Sequence, residues 1–344
     1  PWGGELTPTM RDKHLRLLTA ITPSTSYYAF NMLDDVVGGY DDKKRKLRQA
    51  ISIALNVEEY VQIFANGRGI AAQGPIPPDI FGYQEGKDGL NPVVYEWDEQ
   101  HEAPRRKSIE VAKQLLAEAG YPGGRDVSGK PLVLFFDTAA VGAGAKSEFD
   151  WLRKQFAALD VQLQVRSTDY NRFQEKVLKG DFQILRWGWN ADYPDPENFL
   201  FLLYGPNSKV KSQGENAANY DNPRFNELFR QVENMVNSPQ RAGLIQEMVA
   251  IAREDAPWIW GVHSVGYGLY HQWYHNTKPM FFGRNSLKYK RIDSHLRDER
   301  RVAWNKPVTT PLWVALGILV VSAIPATIAL YRHERGVTRG VTRG

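Results

Sequence analysis

Hydrophobic residues recur at helical spacing along much of the chain. Leu47, Ile51 and Leu55 lie four residues apart, which predicts an amphipathic helix over 43–55 with a basic outer face. Comparable patterns predict further helices over 57–66, 107–119, 147–159, 170–178, 222–236 and 238–257. Two of these have clear start signals: Asn56 is a candidate N-cap with Glu59 at the third helical position, and Ser238 precedes a proline.

Short β-prone segments alternate with the helices in the middle of the chain. Strands are predicted over 131–136, 161–166 and 182–188, which favours an α/β sheet with helical crossovers. The aromatic segment 258–271 is also β-prone. There Trp258 and Trp260 alternate with Ile259, as on a strand buried on one face. Packing in the core or at a hinge is the favoured interpretation of these indoles, and stacking on a ligand is the alternative.

One segment near the C-terminus has the composition of a membrane span. Residues 311–331 include no charged side chain over 21 positions, and as a helix they would measure about 31 Å. Trp313 and Tyr331 lie near its ends as interfacial anchors, and arginines follow directly. The sequence therefore predicts a transmembrane helix with a cytoplasmic C-terminus and residues 1–305 outside; a buried core helix is the alternative.

Composition excludes several classes of function. The formal net charge is +4, and the tail 332–344 supplies most of it with four arginines against one glutamate. The nearly neutral remainder makes a nucleic-acid partner unexpected. The chain has no cysteine, which excludes disulfides, thiolate metal sites and a cysteine nucleophile. The first residues show no signal peptide, so we expect the sequence to be a mature or trimmed portion of a longer precursor.

The segment 187–199, WGWNADYPDPENF, places a carboxylate directly after two tryptophans. If Asp192 is partly desolvated beside Trp187 and Trp189 in a cleft, it needs a cationic partner, and the amino terminus of a peptide is one. Alternatively, Asp192 is a turn residue that bonds its own backbone. Asp195 and Glu197 are both candidate caps for the helix that follows.

Several motifs together resemble the family 5 extracellular solute-binding proteins, the dipeptide- and oligopeptide-binding components of ABC importers. The motifs are FNM (30–32), KLRQAISIALNVEEYVQIFANGRGIAAQGPIPPDIFGY (46–83), AKQLLAEAGYPGG (112–124), WGWNADYPDPENF (187–199), NYDNPRFNELF (219–229) and REDAPWIWGVH (253–263). They occur in the order that is typical of the family. The likeness runs from about residue 22 to 293 and is similar to roughly the C-terminal half of such a protein.

The resemblance implies an α/β fold: a periplasmic-binding-protein type II-like lobe, with a mixed sheet and helices on both faces, plus part of a second lobe and one C-terminal transmembrane helix. The implied domains are the end of the first lobe (1–29), the third, ligand-binding lobe (30–262), return strands to the first lobe and hinge (263–293), a juxtamembrane linker (294–308), the transmembrane helix (309–332) and a cytoplasmic basic tail (333–344). A C-terminal membrane helix is not the usual anchor of the family.

The resemblance also implies a binding site. The aspartate at the position of Asp192 takes the α-ammonium group of a peptide, and the implied ligand-binding residues are Trp187, Trp189, Asn190, Asp192 and Tyr193. Small-peptide binders of the family usually hold the ligand carboxylate with an arginine, but 137–149 has only Lys146 as a cation. A bidentate carboxylate clamp is therefore not expected, and a longer peptide or another solute fits better. Arg48 is implied to be a structural ion-pair residue.

The predicted function is a membrane-tethered periplasmic solute-binding protein in the inner membrane, with no catalytic residue, cofactor or metal. The expected partners are a peptide or other small solute, an inner-membrane permease or other integral membrane complex, and a missing N-terminal half or companion chain. The alternative function is a non-transport accessory subunit of a membrane complex. His271 and His275 have the spacing of two metal ligands but no third ligand nearby, and the glycine runs at 67–69 and 142–145 lack the spacing of a phosphate-binding loop.

Overall fold

The computed structural model describes residues 4–282 and 285–341, with side chains through His333. Helices α1–α12 span Pro8–Asp12, Asp42–Ala54, Val57–Phe64, Ile109–Glu118, Ala143–Ala157, Tyr170–Lys179, Glu197–Leu200, Lys209–Ser212, Pro223–Val232, Pro239–Asp255, Ser294–Trp304 and Thr310–Val341. Strands β1–β12 span Arg16–Ile21, Ser24–Phe30, Gly69–Ala71, Tyr95–Asp98, Ala103–Arg106, Val133–Thr138, Gln162–Ser167, Ile184–Asn190, Trp258–Trp260, Val262–Tyr270, Tyr274–His275 and Arg291–Ile292.

The central element is a five-stranded mixed sheet with the strand order β7-β6-β8-β2-β9. Strand β6 pairs in parallel with β7 and β8, and β2 pairs antiparallel with β8 and β9. Helices α5 and α6 make the crossovers between the parallel strands. The alternation of strands and helices predicted from the sequence is confirmed, with strand ends displaced by two residues or fewer.

Side chains on the two faces of this sheet enter two different hydrophobic cores. Along β2, Tyr28 and Phe30 face a first core that is shared with α2, α3, α4 and α5. Tyr27 and Ala29 face a second core that is shared with α6, α7, α9 and α10. Because apolar faces of helices cover the sheet on both sides, the predicted fold class is confirmed.

Strand β9 is buried on both faces, so the prediction of a one-sided strand is wrong. Trp258 and Trp260 are in the second core, whereas Ile259 is in the first. The indoles pack in the core, as the favoured interpretation predicted, and Trp258 stacks on Tyr27 with ring centroids 3.5 Å apart. The alternation of Trp258, Ile259 and Trp260 predicted burial on one face only, but helices cover β9 on both faces although it lies at the edge of the sheet.

A second, three-stranded antiparallel sheet has the order β1-β10-β3. Strand β10 continues the chain from β9 after Gly261, whose amide donates to the Ser26 carbonyl at 3.0 Å. A Cβ at Gly261 would lie 2.4 Å from that same carbonyl oxygen, so only glycine fits this close approach. The two sheets are therefore connected through β9 and β10 at one end of β2.

The predicted helix starts are confirmed where the signal is a capping side chain. Asn56 accepts a hydrogen bond from the Glu59 amide at 2.9 Å, and Ser238 accepts one from the Arg241 amide at 3.2 Å. Helix α5 begins four residues before its predicted start, at Ala143, after Gly142 with φ of 94°. The alanines and glycines of 142–145 gave no hydrophobic period, so the first turn of α5 was not predicted.

Arg48 is fully buried, and it differs from the ion-pair residue that the resemblance implied. Its guanidinium donates to the backbone carbonyls of Val37, Gly39 and Asp255 at 2.7–3.0 Å. Burial lowers the pKa of Arg48 to about 10, so the side chain remains charged at neutral pH. Arg48 is structural, as expected, but it acts by satisfying three carbonyl groups rather than by pairing with a carboxylate.

The chain divides into two compact units. The first unit extends to Gln272 and also includes Thr277–Lys288; the second contains Trp273–Asn276 and the residues from Tyr289 onward. In the second unit β11 pairs with β12, and the ring of Trp273 contacts that of Trp304 at 5.4 Å. The domain limits predicted from the resemblance remain a prediction.

The helix α12 includes the predicted membrane span. Its segment Thr310–His333 is 24 residues long, and its length and apolar composition are sufficient to cross a membrane. The most apolar part of this segment is not buried against any described residue. The alternative of a buried core helix is therefore wrong for this segment.

Candidate functional site

The candidate site lies where β8 extends beyond its parallel neighbour. Strand β6 ends one residue after Asp137, which is opposite Leu185, while β8 continues to Asn190 alongside β2. Asn190 pairs with Ser24, and the loop 191–196 follows directly. Ligands of open α/β sheets bind in the crevice outside the carboxyl ends of the strands, and the predicted site residues lie at this end.

The two tryptophans of the motif are half-buried and packed on the periphery of the second core. The Trp187 ring lies 6.0 Å from that of Phe173, and the Lys209 ammonium is 5.8 Å from its centroid. The Trp189 ring meets Phe201 edge-on at 5.1 Å. These contacts fix the orientation of both indoles independently of any ligand.

One asparagine holds the loop against the end of the strand. The Oδ1 atom of Asn198, which is 3% exposed, accepts from Trp189 Nε1 at 3.2 Å and from the Asp192 amide at 2.8 Å. The backbone of Asp192 is therefore fixed to the tryptophan side chain through a buried acceptor. This arrangement holds the Asp192 backbone at a defined position at the strand end.

The carboxylate of Asp192 is exposed, so the expected partial desolvation beside the indoles is wrong for this chain. The indoles turn toward the second core, and nothing in the described ranges 4–282 and 285–341 covers Asp192 from the other side. The carboxylate makes no hydrogen bond or ion pair within those ranges, and the bond to its own backbone that a turn residue would make is not formed.

The neighbouring acidic side chains are already engaged. Asp195 binds the buried Arg241 guanidinium with both oxygens, at 2.7 and 2.8 Å, and caps the Glu197 amide at 2.9 Å. Burial alone would raise the pKa of Asp195, but the hydrogen bonds from Arg241 and from the Glu197 amide outweigh it, so that pKa is lowered. Glu197 accepts a hydrogen bond from the Tyr193 hydroxyl, and burial together with this bond raises the pKa of Tyr193 to about 12.

The five predicted site residues thus lie together, but they face different ways. Asn190, Asp192 and Tyr193 are exposed, whereas Trp187 and Trp189 turn partly into the second core. Two supporting residues were not predicted, Asn198 and Arg241. Asn198 is in the motif but resembles an ordinary helix-start residue, and Arg241 is 46 positions from Asp195, so no local pattern indicated the pairing.

The segment after β6 has no arginine to clamp a ligand carboxylate. Its residues 140–144 and Lys146 are exposed, and α5 begins within it at Ala143. The cations nearest the end of β6 are Arg166 and Lys176, and both bind the buried carboxylate of Asp137. These two cations therefore hold the strand end together, and the exposed Lys146 is the cation that this segment presents to solvent.

The two spaced histidines do not belong to a larger cluster. His275 lies in β11, and His271 comes directly after β10. Within the described part of the chain, no group of three or more histidine, aspartate or glutamate side chains is placed to hold a metal ion.

A buried histidine lies next to the start of β2. His263 Nδ1 is 3.1 Å from the Ser24 carbonyl oxygen, and its Nε2 has no hydrogen-bond partner among the described residues. Burial lowers the pKa of His263 from 6.5 to about 4, although the hydrogen bond to Ser24 opposes the shift. The ring is therefore neutral in the folded protein at neutral pH, with its proton on Nδ1.

This histidine should make the fold sensitive to acid. Above pH 6.5 the ring is neutral whether the chain is folded or unfolded; between pH 6.5 and 4 only the unfolded chain takes the proton. We expect His263 to lower the free energy of unfolding over that window by roughly 3 kcal/mol in total. Urea unfolding between pH 4 and 7 should show a shallower pH dependence for His263→Gln than for the wild type.

The matched control is the exposed His14, which has φ of 51° and is best replaced by asparagine. The His14→Asn variant should keep the wild-type pH dependence. Equal pH dependence in the wild type and in His263→Gln would show that His263 does not titrate between the two states.

Comparison with known proteins identifies the family. The model for bacterial extracellular solute-binding proteins, family 5, middle region, matches residues 5–211. The chain belongs to this family. The match includes β8, the loop 191–196 and the start of α8, so the candidate site lies within the part of the chain that the family model matches.

Several similar proteins are named for the ligands that they bind. Heme-binding protein A of Haemophilus influenzae is 28% identical over 269 residues, 76% of this chain and 43% of that protein. The dipeptide-binding protein of Escherichia coli is 24% identical over 260 residues, 74% of this chain and 43% of that protein. The ABC transporter-associated periplasmic binding protein DppA from Helicobacter pylori, solved with the peptide STSA, superposes with a TM-score of 0.64 at 19% identity, over 81% of this chain and 49% of that one. This chain therefore spans less than half the length of these relatives.

Proposed function

We propose that this chain is the ligand-binding part of a membrane-tethered solute-binding protein, which serves an ABC importer and binds peptides through their α-ammonium group. The ligand-contacting residues are Asp192, for the ammonium group, with Asn190, Tyr193, Trp187 and Trp189 around it. The named relatives bind dipeptides and heme, and the Helicobacter pylori protein was solved with a peptide, which supports a small organic solute.

The observation that carries this proposal is the unsatisfied carboxylate of Asp192. Within the described residues, Asp195 and Glu197 already have partners, whereas the Asp192 carboxylate has none. Its backbone is held by the buried Asn198, so the point on the chain from which the charge extends is fixed. A primary ammonium group offers three donors to such a carboxylate, and charge-assisted hydrogen bonds are about twice as strong as neutral ones.

The site needs a second wall to bind tightly. Asp192 is exposed, and this chain spans 43% of the Escherichia coli relative, so the remainder of the protein or a companion chain supplies the opposite face. Closure of two lobes over a ligand would exclude water and strengthen the pairing between the ammonium group and Asp192. The closed form is then recognised by a membrane permease.

The lack of an arginine in 137–149 supports a ligand that is not clamped at its carboxyl end. Main-chain pairing between an extended peptide and the lobes would supply affinity without fixing the peptide length. Water-filled side-chain pockets would keep the selectivity for sequence low.

The apolar helix α12 supports a tether in the inner membrane. Six lysines and arginines lie between 290 and 306, and four arginines follow the apolar segment, so the flanking charge does not by itself set the orientation. Membership of an extracellular family supports placing the residues before 305 outside and the tail inside. A tether of this kind raises the effective concentration of the binding protein near its permease.

A test of this function is to identify what the purified protein carries. Mass spectrometry of the denatured protein should detect peptides in near-stoichiometric amount, with free amino termini. Acetylated or otherwise blocked peptides should be depleted. An empty protein that co-purifies with membrane subunits would contradict the carrier function and favour the accessory role, which the missing arginine clamp also favours.

A further inference from the structure

The linker ahead of the apolar helix has a surplus of positive charge. From Lys290 to Lys306 there are six lysines and arginines and three acidic residues: Lys290, Arg291, Arg297, Arg300, Arg301 and Lys306 against Asp293, Asp298 and Glu299. None of the six cations forms an ion pair within the residues that the structure describes. Lys290 and Arg300 are half-buried, whereas the other four are exposed and their charge is available to a partner outside the chain.

Helix α11 separates these charges between two faces. Arg297, Arg300 and Arg301 follow the spacing i, i+3 and i+4 and form one side of the helix, here called the basic face. Glu299 lies on the opposite side, and Asp298 lies on the flank next to Arg301. No residue of α11 is fully buried, but the Trp304 ring packs on that of Trp273 at 5.4 Å. Arg300 is half-buried, which leaves Arg297 and Arg301 as the exposed part of the basic face.

The basic face is also close to the predicted membrane along the chain. Five residues lie between Trp304 and Thr310, where α12 begins, so the six Cα–Cα steps can span at most about 22 Å. Lysines and arginines next to a transmembrane helix are usually more frequent on the cytoplasmic side of the membrane, so a cluster of them on the outer side is unusual. A helix with lysines and arginines on its polar face is attracted electrostatically to anionic lipids.

We propose that the basic face of α11 lies on the headgroups of anionic phospholipids, at the outer surface of the membrane that α12 crosses. This inference rests on the proposed tether and goes beyond it, because a tether alone does not place α11 against the headgroups. Each cation near an anionic surface strengthens binding about fivefold, so the three arginines together supply a preference on the order of a hundredfold. High salt should weaken this preference through screening.

Because the chain lacks cysteine, a single introduced cysteine can be labelled selectively. A spin label is attached to the full chain at Ser294→Cys, on the side of the basic face, or at the exposed Val302→Cys, on the opposite side. The chain is reconstituted into phosphatidylcholine bilayers with or without phosphatidylglycerol. Collision with a nickel chelate carried on a lipid headgroup is then measured by electron paramagnetic resonance.

We expect phosphatidylglycerol to increase the nickel collision rate at position 294 severalfold more than at position 302. The increase should disappear in the combined variant Arg297→Gln/Arg300→Gln/Arg301→Gln. It should also disappear in about 0.5 M salt, which screens the attraction between the arginines and the headgroups. A control variant removes three exposed cations from the first unit, Lys43→Gln/Lys154→Gln/Arg172→Gln, and should retain it. The proposal would be overturned if phosphatidylglycerol did not change the collision rate at position 294, or if the increase were also seen in the arginine variant.

A third label distinguishes this inference from the tether itself. A label at Ser322→Cys, within α12, should collide with oxygen dissolved in the bilayer core in both lipid mixtures. If it does not, the tether is wrong and the lipid contact of α11 is wrong with it. If it does, while position 294 is indifferent to lipid charge, only the lipid contact of α11 is wrong.

Discussion

Replacement of Arg48 by methionine is expected to lower the free energy of unfolding of the first unit by about 3–5 kcal/mol. The guanidinium is 0% exposed and donates to three backbone carbonyls, at Val37, Gly39 and Asp255. Methionine fills similar space but leaves those carbonyls buried without donors, and each unsatisfied group costs about 1–3 kcal/mol. Urea unfolding followed by circular dichroism measures the difference.

The control is Arg45→Met on the same helix. Arg45 pairs with the exposed side chain of Asp42, and surface pairs of this kind contribute about 0–1 kcal/mol. The Arg45→Met variant should therefore unfold close to the wild-type urea concentration. If Arg48→Met and Arg45→Met unfolded at the same urea concentration, the buried guanidinium would not stabilise the fold as described.

The fold was predictable where its determinants are local in sequence. The spacing of Leu47 and Ile51 identifies the buried side of α2. The side chains of Asn56 and Ser238 each cap the helix that follows, by accepting a hydrogen bond from the amide three residues further along the chain. Alternating faces over 161–166 likewise predicted the strand β7. Period and capping depend on neighbours within one or two turns, so a single sequence contains enough information to place them.

Features that depend on distant residues were not predictable in this way. Arg48 binds the carbonyl of Asp255, 207 positions away, whereas the resemblance had implied an ion pair and no local pattern indicated this contact. The Arg241–Asp195 pair that pins the loop joins residues 46 positions apart. The exposure of Asp192 was predicted wrongly for a related reason, because burial depends on which distant surfaces meet and no described residue covers Asp192.

Replacement of Asp192 by asparagine is expected to weaken the binding of a free peptide by about 10- to 150-fold. A hydrogen bond to a charged group contributes roughly 1.5–3 kcal/mol, which corresponds to that range of affinity. Asparagine keeps the shape of the side chain, and the loop should keep its conformation because Asn198 binds the Asp192 amide rather than its carboxylate.

Asp169→Asn is the matched control for the loss of charge. Asp169 is exposed and caps α6 by accepting from the Arg172 amide at 3.0 Å, and asparagine caps a helix about equally well. This variant should bind peptide as the wild type does. A loss of affinity in Asp169→Asn equal to that in Asp192→Asn would point to a general effect of net charge.

The most direct test of ammonium recognition by Asp192 is isothermal titration calorimetry of tri-alanine and N-acetyl-tri-alanine, on the wild type and on Asp192→Asn. Acetylation removes the positive charge from the peptide without changing the rest of its chain. We predict that it weakens binding to the wild type at least tenfold and leaves binding to Asp192→Asn nearly unchanged, since the two changes remove the same interaction. Equal discrimination between the two peptides by both proteins would contradict the assignment of Asp192.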